Sequence, residues 1–206
     1  VSDPRIPTDG RNTIHRAYRF LCDRYPRVRK VGFDVELKKN IPAGTGLGGG
    51  SADAAAFLIG ATRILGLRAP HSPDDLAEIA ARIGADVPFC MRGGTAVGRR
   101  LGDRLRFLDP LPPRRIFLAI PATRVSTRSA YRMMDESRGQ GCVTKNLTNR
   151  LSARRLYSVV NGIRLEKKIN FLSNDFQAGV CRVHAELALI FSRIAAFGPA
   201  AMNGSG

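Results

Sequence analysis

Residues 41–58 read IPAGTGLGGGSADAAAFL, with five glycines in the seven positions from Gly44 to Gly50 and only Thr45 and Leu47 between them. No other stretch constrains the fold as strongly. Its backbone is free to take left-handed conformations and to approach another group closely, and it runs directly into alanine and leucine, the composition of a helix. Three phosphate-binding patterns compete for such a run. The GxxxxGK[ST] pattern fails, because Gly50 stands where the lysine belongs when Gly44 is the first glycine. Gly44, Gly46 and Gly49 satisfy GxGxxG, but a dinucleotide unit needs a fully buried strand before it and an acidic residue about twenty positions on. Here Asp34, Glu36 and Lys38 alternate through the preceding segment, and the later region is RAPHS. The third pattern needs only backbone N–H groups exposed by tight glycine turns, the positive end of a helix beginning at Ser51, and the Ser51 hydroxyl for a phosphate oxygen or a hydrated magnesium ion. A flexible linker would bring in serine and polar residues rather than an alanine-rich helix. The cradle therefore ranks above the linker.

The rest of the chain supplies the setting. At 206 residues, 44% apolar and 24% charged, it has an ordinary globular composition, so disorder is not the default. No apolar run reaches the length of a membrane span and no signal-peptide core opens the chain, so a cytoplasmic protein without membrane contact is expected. Cys22, Cys90, Cys142 and Cys181 form no CxxC pair, and His15, His71 and His184 are scattered, which argues against zinc and for free thiols. The net charge of +16 raises the question of a polyanionic partner. The arginine pairs Arg99-Arg100, Arg114-Arg115 and Arg154-Arg155 have no interleaved aromatics and no nucleic-acid motif, which favours a solvated basic surface that attracts anionic substrates. A nucleic-acid-binding domain would rest on charge alone. The opening Val1 and the closing AMNGSG lead us to expect an internal piece of a longer protein. Oligomeric state is not readable.

Local patterns predict the elements. Ile14, Ala17, Tyr18 and Leu21 lie at helical spacing over 12–25 with Asn12 as N-cap. Phe33, Val35 and Leu37 alternate with polar residues over 32–42, the period of a strand with one wet face. A mostly buried helix is expected from Ser51 to Leu67 with Gly66 near its end. Another should follow Ser72 as N-cap and Pro73, with Asp74 and Asp75 in its first turn and Gly84 as terminator. Strands are expected around 94–98, 104–108 and 115–120, helices over 129–136 and 175–197, and a loop over 136–146. Asp86 follows the terminator beside Val87, Pro88 and Phe89, apolar company in which a carboxylate needs a cation or donor to stay charged. A turn or cap aspartate and a functional one are equally open readings of it.

PAGTGLGGGSADAAA followed by GADVPFC and RGGTA, with RNTIHRAYRFL, PATRVSTRSAY, SNDF and MNGSG in the same order, resembles the GHMP kinase superfamily and, within it, the 4-diphosphocytidyl-2-C-methyl-D-erythritol kinases. The resemblance runs over nearly the whole chain. It implies an α+β fold of two domains, with a left-handed βαβ element, over 1–110 (ribosomal protein S5 domain 2-like, ATP-binding) and 111–206 (ferredoxin-like), both truncated. The implied activity is transfer of the γ-phosphoryl of ATP, with Mg²⁺, to the 2-hydroxyl of a cytidine-diphosphate-linked methylerythritol, a step in non-mevalonate isoprenoid precursor synthesis. Pro42, Ala43, Gly44, Thr45, Gly46, Leu47, Gly48, Gly49, Gly50, Ser51 and Ala52 correspond to the ATP phosphate loop, with Ser51 toward the metal. Asp86 corresponds to the catalytic aspartate, and Gly204, Ser205 and Gly206 to a further glycine motif near the active site.

The chain departs from the family at Ala52, where a second serine is usual, and at Asn203, where serine or threonine is common. The family's catalytic lysine would precede Val1, so the 206-residue piece alone is expected to be poorly stable or inactive. Another GHMP small-molecule kinase, or a nucleotide-binding paralogue with weakened catalysis, is the alternative.

Overall fold

The computed structural model describes residues 1–67, 73–99, 102, 104–113, 115–139 and 174–204. Ser72, His71, Cys142, Ser205 and Gly206, named above, lie outside the described residues. The chain divides into two units, Val1–Ala43 with Gly48–Pro110, and Gly44–Leu47 with Leu111–Gly206.

In the first unit, helix α1 (Thr13–Arg24) begins where Asn12 was expected to cap it. Asn12 Oδ1 accepts from the Ile14 N–H at 2.9 Å, and its Nδ2 donates to the Pro7 carbonyl at 2.8 Å. The cap thus satisfies a helix donor and pins the incoming chain. The stripe Ile14, Ala17, Leu21 and Cys22 is buried, and a 3₁₀ turn over Pro26–Lys30 adds buried Val28. Helix α2 (Gly49–Ile64) packs on α1 through Ala54, Ala55, Leu58 and Ala61. Only that face is buried: Ala52 and Ala56 are exposed, so the expectation of a mostly buried helix holds for one side alone. Its C-terminus follows the expected glycine stop. The Leu67 N–H bonds the Thr62 carbonyl and the Gly66 N–H that of Arg63, with Gly66 at φ +56°, the Schellman arrangement that uses up the last free carbonyls.

Helix α3 (Pro73–Ile83) starts on its proline and ends before Gly84, and buries Ile79, Ala80 and Ile83 against α1 and α2. A short helix α4 (Val87–Arg92) follows, then the antiparallel pair β1 (Thr95–Arg99) and β2 (Arg104–Leu108), with Thr95 opposite Leu108 and Arg99 opposite Arg104. The strand expected over 32–42 is not formed. The Ser2 N–H donates to the Leu37 carbonyl, but among the described residues no ladder runs along the segment. A polar/apolar period is necessary for a strand, and a hydrogen-bonding neighbour is also required.

The second unit gathers helix α5 (Thr127–Gly139), helix α6 (Gln177–Val183) and helix α7 (Ala185–Ala195). Val125, Ala130, Met133, Val180 and Leu187 form its core, and Tyr131 stacks edge-on against Phe176. Three expectations need correction here. Residues 115–120 are not a strand: Ile116 is 80% and Phe117 83% exposed, and the apolar residue types alone supply no partner. The single helix expected over 175–197 is two, broken where His184 turns extended at φ −111°, ψ 91°. Its N–H closes α6 on Val180 while its carbonyl opens α7 on Ala188, and Glu186 sits favourably in the new first turn. Residues 136–139, expected as loop, continue α5, and 140–146 lie outside the described residues. No helix among the described residues is long and apolar enough to cross a membrane.

Replacing Asn12 by alanine removes one cap and one carbonyl partner together. Urea unfolding is expected to show a loss of about 1–2 kcal/mol, the range of a buried N-cap.

Candidate functional site

The glycine run is left-handed at alternate positions, with φ of +74° at Gly44, +68° at Gly46 and +71° at Gly48. Three such residues within five positions are tolerable only without a Cβ. Gly48 is the N-cap of α2 and provides no side-chain cap, so the first turn meets its surroundings through bare backbone N–H groups. The helix starts at Gly49, two residues earlier than the expected Ser51. A Cβ on Gly49 would stand 3.1 Å from Ile41 Cγ2, so the helix reaches this close to the preceding segment only because the residue is glycine. Thr13 at the head of α1 donates its hydroxyl to the Gly50 carbonyl at 2.9 Å and fixes the turn. Ser51 is then half-buried in the first turn, while Ala52 is exposed and its N–H already bonds the Gly48 carbonyl.

Beside this turn lies a charge pair that the sequence reading missed. Lys39 Nζ donates to Asp53 Oδ2 at 2.5 Å, with the lysine side chain 5% and the aspartate 20% exposed. A Cβ on Gly49 would fall 3.3 Å from that Nζ. Lys39 continues the odd-numbered series of Phe33, Val35 and Leu37, and that parity was the available signal. The ammonium next to a positive helix end is tolerated because Asp53 neutralises it.

In the second unit, Gly44–Leu47 meets the C-terminal glycine motif. A Cβ on Gly46 would stand 2.8 Å from the Asn203 carbonyl oxygen and 2.9 Å from Gly204 Cα, and one on Gly204 would stand 2.8 Å from Gly46 Cα. The two backbones touch with no room for a side chain on either. Asn174 holds the motif in place, donating Nδ2 to the carbonyls of Met202 at 2.8 Å and Gly204 at 2.6 Å, and it accepts from the Phe176 N–H at 2.8 Å. Asn203, where a hydroxyl residue was looked for, contributes its backbone carbonyl to this contact.

Asp86 heads α4, which packs against α2 and α3. It is exposed and makes no capping hydrogen bond, which corrects the expectation of an apolar enclosure: Val87 and Pro88 turn inward while the carboxylate stays hydrated. One turn on, burial pushes the Cys90 thiol above its ordinary value, and the negative charge of Asp86 adds to the effect. Cys90 is therefore a poor thiolate. The first unit thus carries a bare helix start, a serine hydroxyl in its first turn and a hydrated carboxylate on a helix packed beside it. Backbone N–H donors suit a polyphosphate, and a small hard cation would draw its oxygens chiefly from that polyphosphate, with Ser51 as the protein donor.

Comparison with known proteins identifies the family. Residues 12–94 match the family described as GHMP kinases N terminal domain. A 4-diphosphocytidyl-2-C-methyl-D-erythritol kinase of Moorella thermoacetica is 40% identical over 98% of this chain and 68% of its own length. The enzyme of the same name from Pseudothermotoga lettingae is 44% identical over 66% of this chain and 47% of its own, and that from Deinococcus radiodurans 39% over 87% and 56%. The chain thus spans between about half and two thirds of these relatives. A crystal structure of 4-(cytidine 5'-diphospho)-2C-methyl-D-erythritol kinase superposes with a TM-score of 0.69 at 25% identity, covering 98% of this chain and 69% of that one. The α+β class and the GHMP kinase fold follow from that match.

Gly46→Ala and Gly48→Ala separate close approach from backbone conformation. Both positions are left-handed, but a Cβ on Gly48 meets open space. Gly48→Ala is expected to cost about 1 kcal/mol from the strained φ, and Gly46→Ala about 1–3 kcal/mol more from the backbone clash, measured by chemical denaturation.

Proposed function

Since the chain belongs to the GHMP kinases, within the 4-diphosphocytidyl-2-C-methyl-D-erythritol kinases, we propose that it transfers the γ-phosphoryl of ATP to the 2-hydroxyl of 4-(cytidine 5'-diphospho)-2-C-methyl-D-erythritol. The observation that carries the reading is the uncapped start of α2 directly behind three left-handed glycines, within the segment that the family model matches. The step belongs to the non-mevalonate supply of isoprenoid precursors.

Pro42, Ala43, Gly44, Thr45, Gly46, Leu47, Gly48, Gly49, Gly50, Ser51 and Ala52 are the proposed phosphate loop. The glycines let the chain wrap the triphosphate, and the N–H groups of the first α2 turn donate to its oxygens. Such donors are fixed before the substrate arrives, so they stabilise charge on the transferring group without reorganising. Mg²⁺, when bound with ATP, would neutralise part of the triphosphate charge, and Ser51 is the residue that would hold it. Gly204, through its contact with Gly46, keeps the opening turn of the loop in shape.

Asp86 is the proposed base. Its carboxylate accepts the proton of the acceptor hydroxyl as that oxygen forms a bond to the γ-phosphorus, and the bond from phosphorus to the bridging oxygen of ADP breaks. The carboxylate is exposed, so an acceptor hydroxyl can reach it. Much of the catalysis then comes from positioning and electrostatics, and proton removal adds to it. The basic composition of the chain favours capture of two anionic substrates.

The test is ATP-dependent phosphorylation of the cytidine-diphosphate alcohol by the full-length protein, followed by ADP release. Wild type is expected to turn over, and Asp86→Asn to lower kcat by about 10²–10⁴ while ATP affinity is kept. Transfer by Asp86→Asn at the wild-type rate would remove Asp86 from the mechanism. Ala52 is exposed, so Ala52→Ser restores the family's second hydroxyl without crowding. It is expected to leave stability within about 0.5 kcal/mol and to lower KM for ATP, read from initial rates.

A further inference from the structure

We propose that Lys39 is a positioning residue for the nucleotide: its ammonium holds and cancels the Asp53 carboxylate, so that the start of α2 meets a triphosphate as a positive end with no opposing charge beside it. The inference rests on the reading of the α2 start as a nucleotide phosphate site.

Asp53 stands one turn into α2, two residues after Ser51. A carboxylate there suits the positive end of the helix itself, but it has the same sign as the ligand that this end is to receive. Left alone it would repel the phosphates, since like charges brought together at a binding site weaken association. Lys39 removes that conflict. Its Nζ donates to Asp53 Oδ2 at 2.5 Å with the lysine side chain 5% exposed, so the ammonium faces the carboxylate rather than solvent. Its effect on the nucleotide therefore passes through Asp53.

The pair is built from several directions. The Lys39 N–H donates to Ser2 Oγ at 2.9 Å, and the Ser2 N–H donates to the Leu37 carbonyl, which fixes the backbone from which the lysine side chain starts. Gly49 supplies the room. Unlike Gly44, Gly46 and Gly48, it has no left-handed φ to account for it. A Cβ there would nevertheless stand 3.3 Å from Lys39 Nζ and 3.1 Å from Ile41 Cγ2. Glycine at 49 thus admits the ammonium to the first residue of α2, within reach of the carboxylate on the next turn. Removing the lysine alone turns the Asp53 charge on whatever anion the helix start holds.

The experiment measures ATP and ADP binding to the full-length protein by calorimetry, and adenosine binding by competition, for wild type, Lys39→Met, Asp53→Asn and the double variant. Lys39→Met is expected to weaken ATP binding about tenfold or more, ADP binding less, and adenosine binding not at all, because the repulsion grows with the phosphate charge. Adding Asp53→Asn should return ATP affinity to within about twofold of wild type, the tolerance of a double-mutant cycle, since the opposing charge is then gone. Asp53→Asn alone should bind ATP at least as tightly as wild type, and it decides the question if Lys39→Met does not fold. Equal ATP affinity in wild type and folded Lys39→Met overturns the proposal. So does an equal loss for ATP and adenosine, which would mark a pair that only supports the fold. A double variant as weak as Lys39→Met, or an Asp53→Asn that loses ATP affinity, overturns it as well. A wild type that fails to bind ATP overturns the phosphate-site reading, and the proposal with it.

Discussion

Between Gly44 and Gly48 the chain passes through three left-handed conformations, and most of what surrounds the candidate site is a response to that turn. Gly48 heads α2 and brings no side chain to cap it, so the helix starts without a side-chain cap. The same lack of side chains lets Ile41 and Lys39 close on Gly49 from one side, while Gly204 and Arg124 lie against Gly46 and Gly44. Thr13 and Asn174 hold the two neighbourhoods in place with hydrogen bonds to backbone carbonyls. Side-chain polarity is thus spent on fixing the main chain, and the main chain presents the donors.

Charge around the glycine run is graded by burial. Lys39 and Asp53 compensate each other away from water, a pair whose separation would leave an uncompensated buried charge. Asp86 is exposed, so it can meet a ligand without first breaking a buried contact. The exposed pairs Arg5 with Asp3 and Arg11 with Asp9 are of a third kind. The Arg11 guanidinium, then the Arg11 N–H, hold the Asp9 carboxyl down at about 2, yet the pair is open to solvent and contributes little to the fold.

Local chemistry was legible where it is self-contained. Asn12 as a cap, Pro73 as a helix start, Gly66 as a stop and the existence of strands β1 and β2 all follow from signals within a few residues. The glycine run was readable as a tight turn leading into a helix for the same reason. What failed depended on distant partners. Residues 32–42 and 115–120 have strand-forming composition but no ladder among the described residues. The break at His184 has no glycine or proline to announce it. Lys39 and Asn174 acquire their partners from residues further along the chain, and nothing in their own neighbourhoods marks them except the parity of Lys39. The exposure of Asp86 turned on which way its apolar neighbours faced, a matter of packing rather than of residue type.

The contact of Gly46 with Gly204 has a consequence for how such a chain can change over generations. Two large residues in contact can trade volume, one shrinking as the other grows, and a lineage can pass through the exchange. Here each Cα already occupies the space the other's side chain would need. Glycine is the smallest residue available, so neither position can make room for a substitution at the other. The two sites, remote in sequence, are therefore held jointly, with no compensating partner and no intermediate path between alternatives.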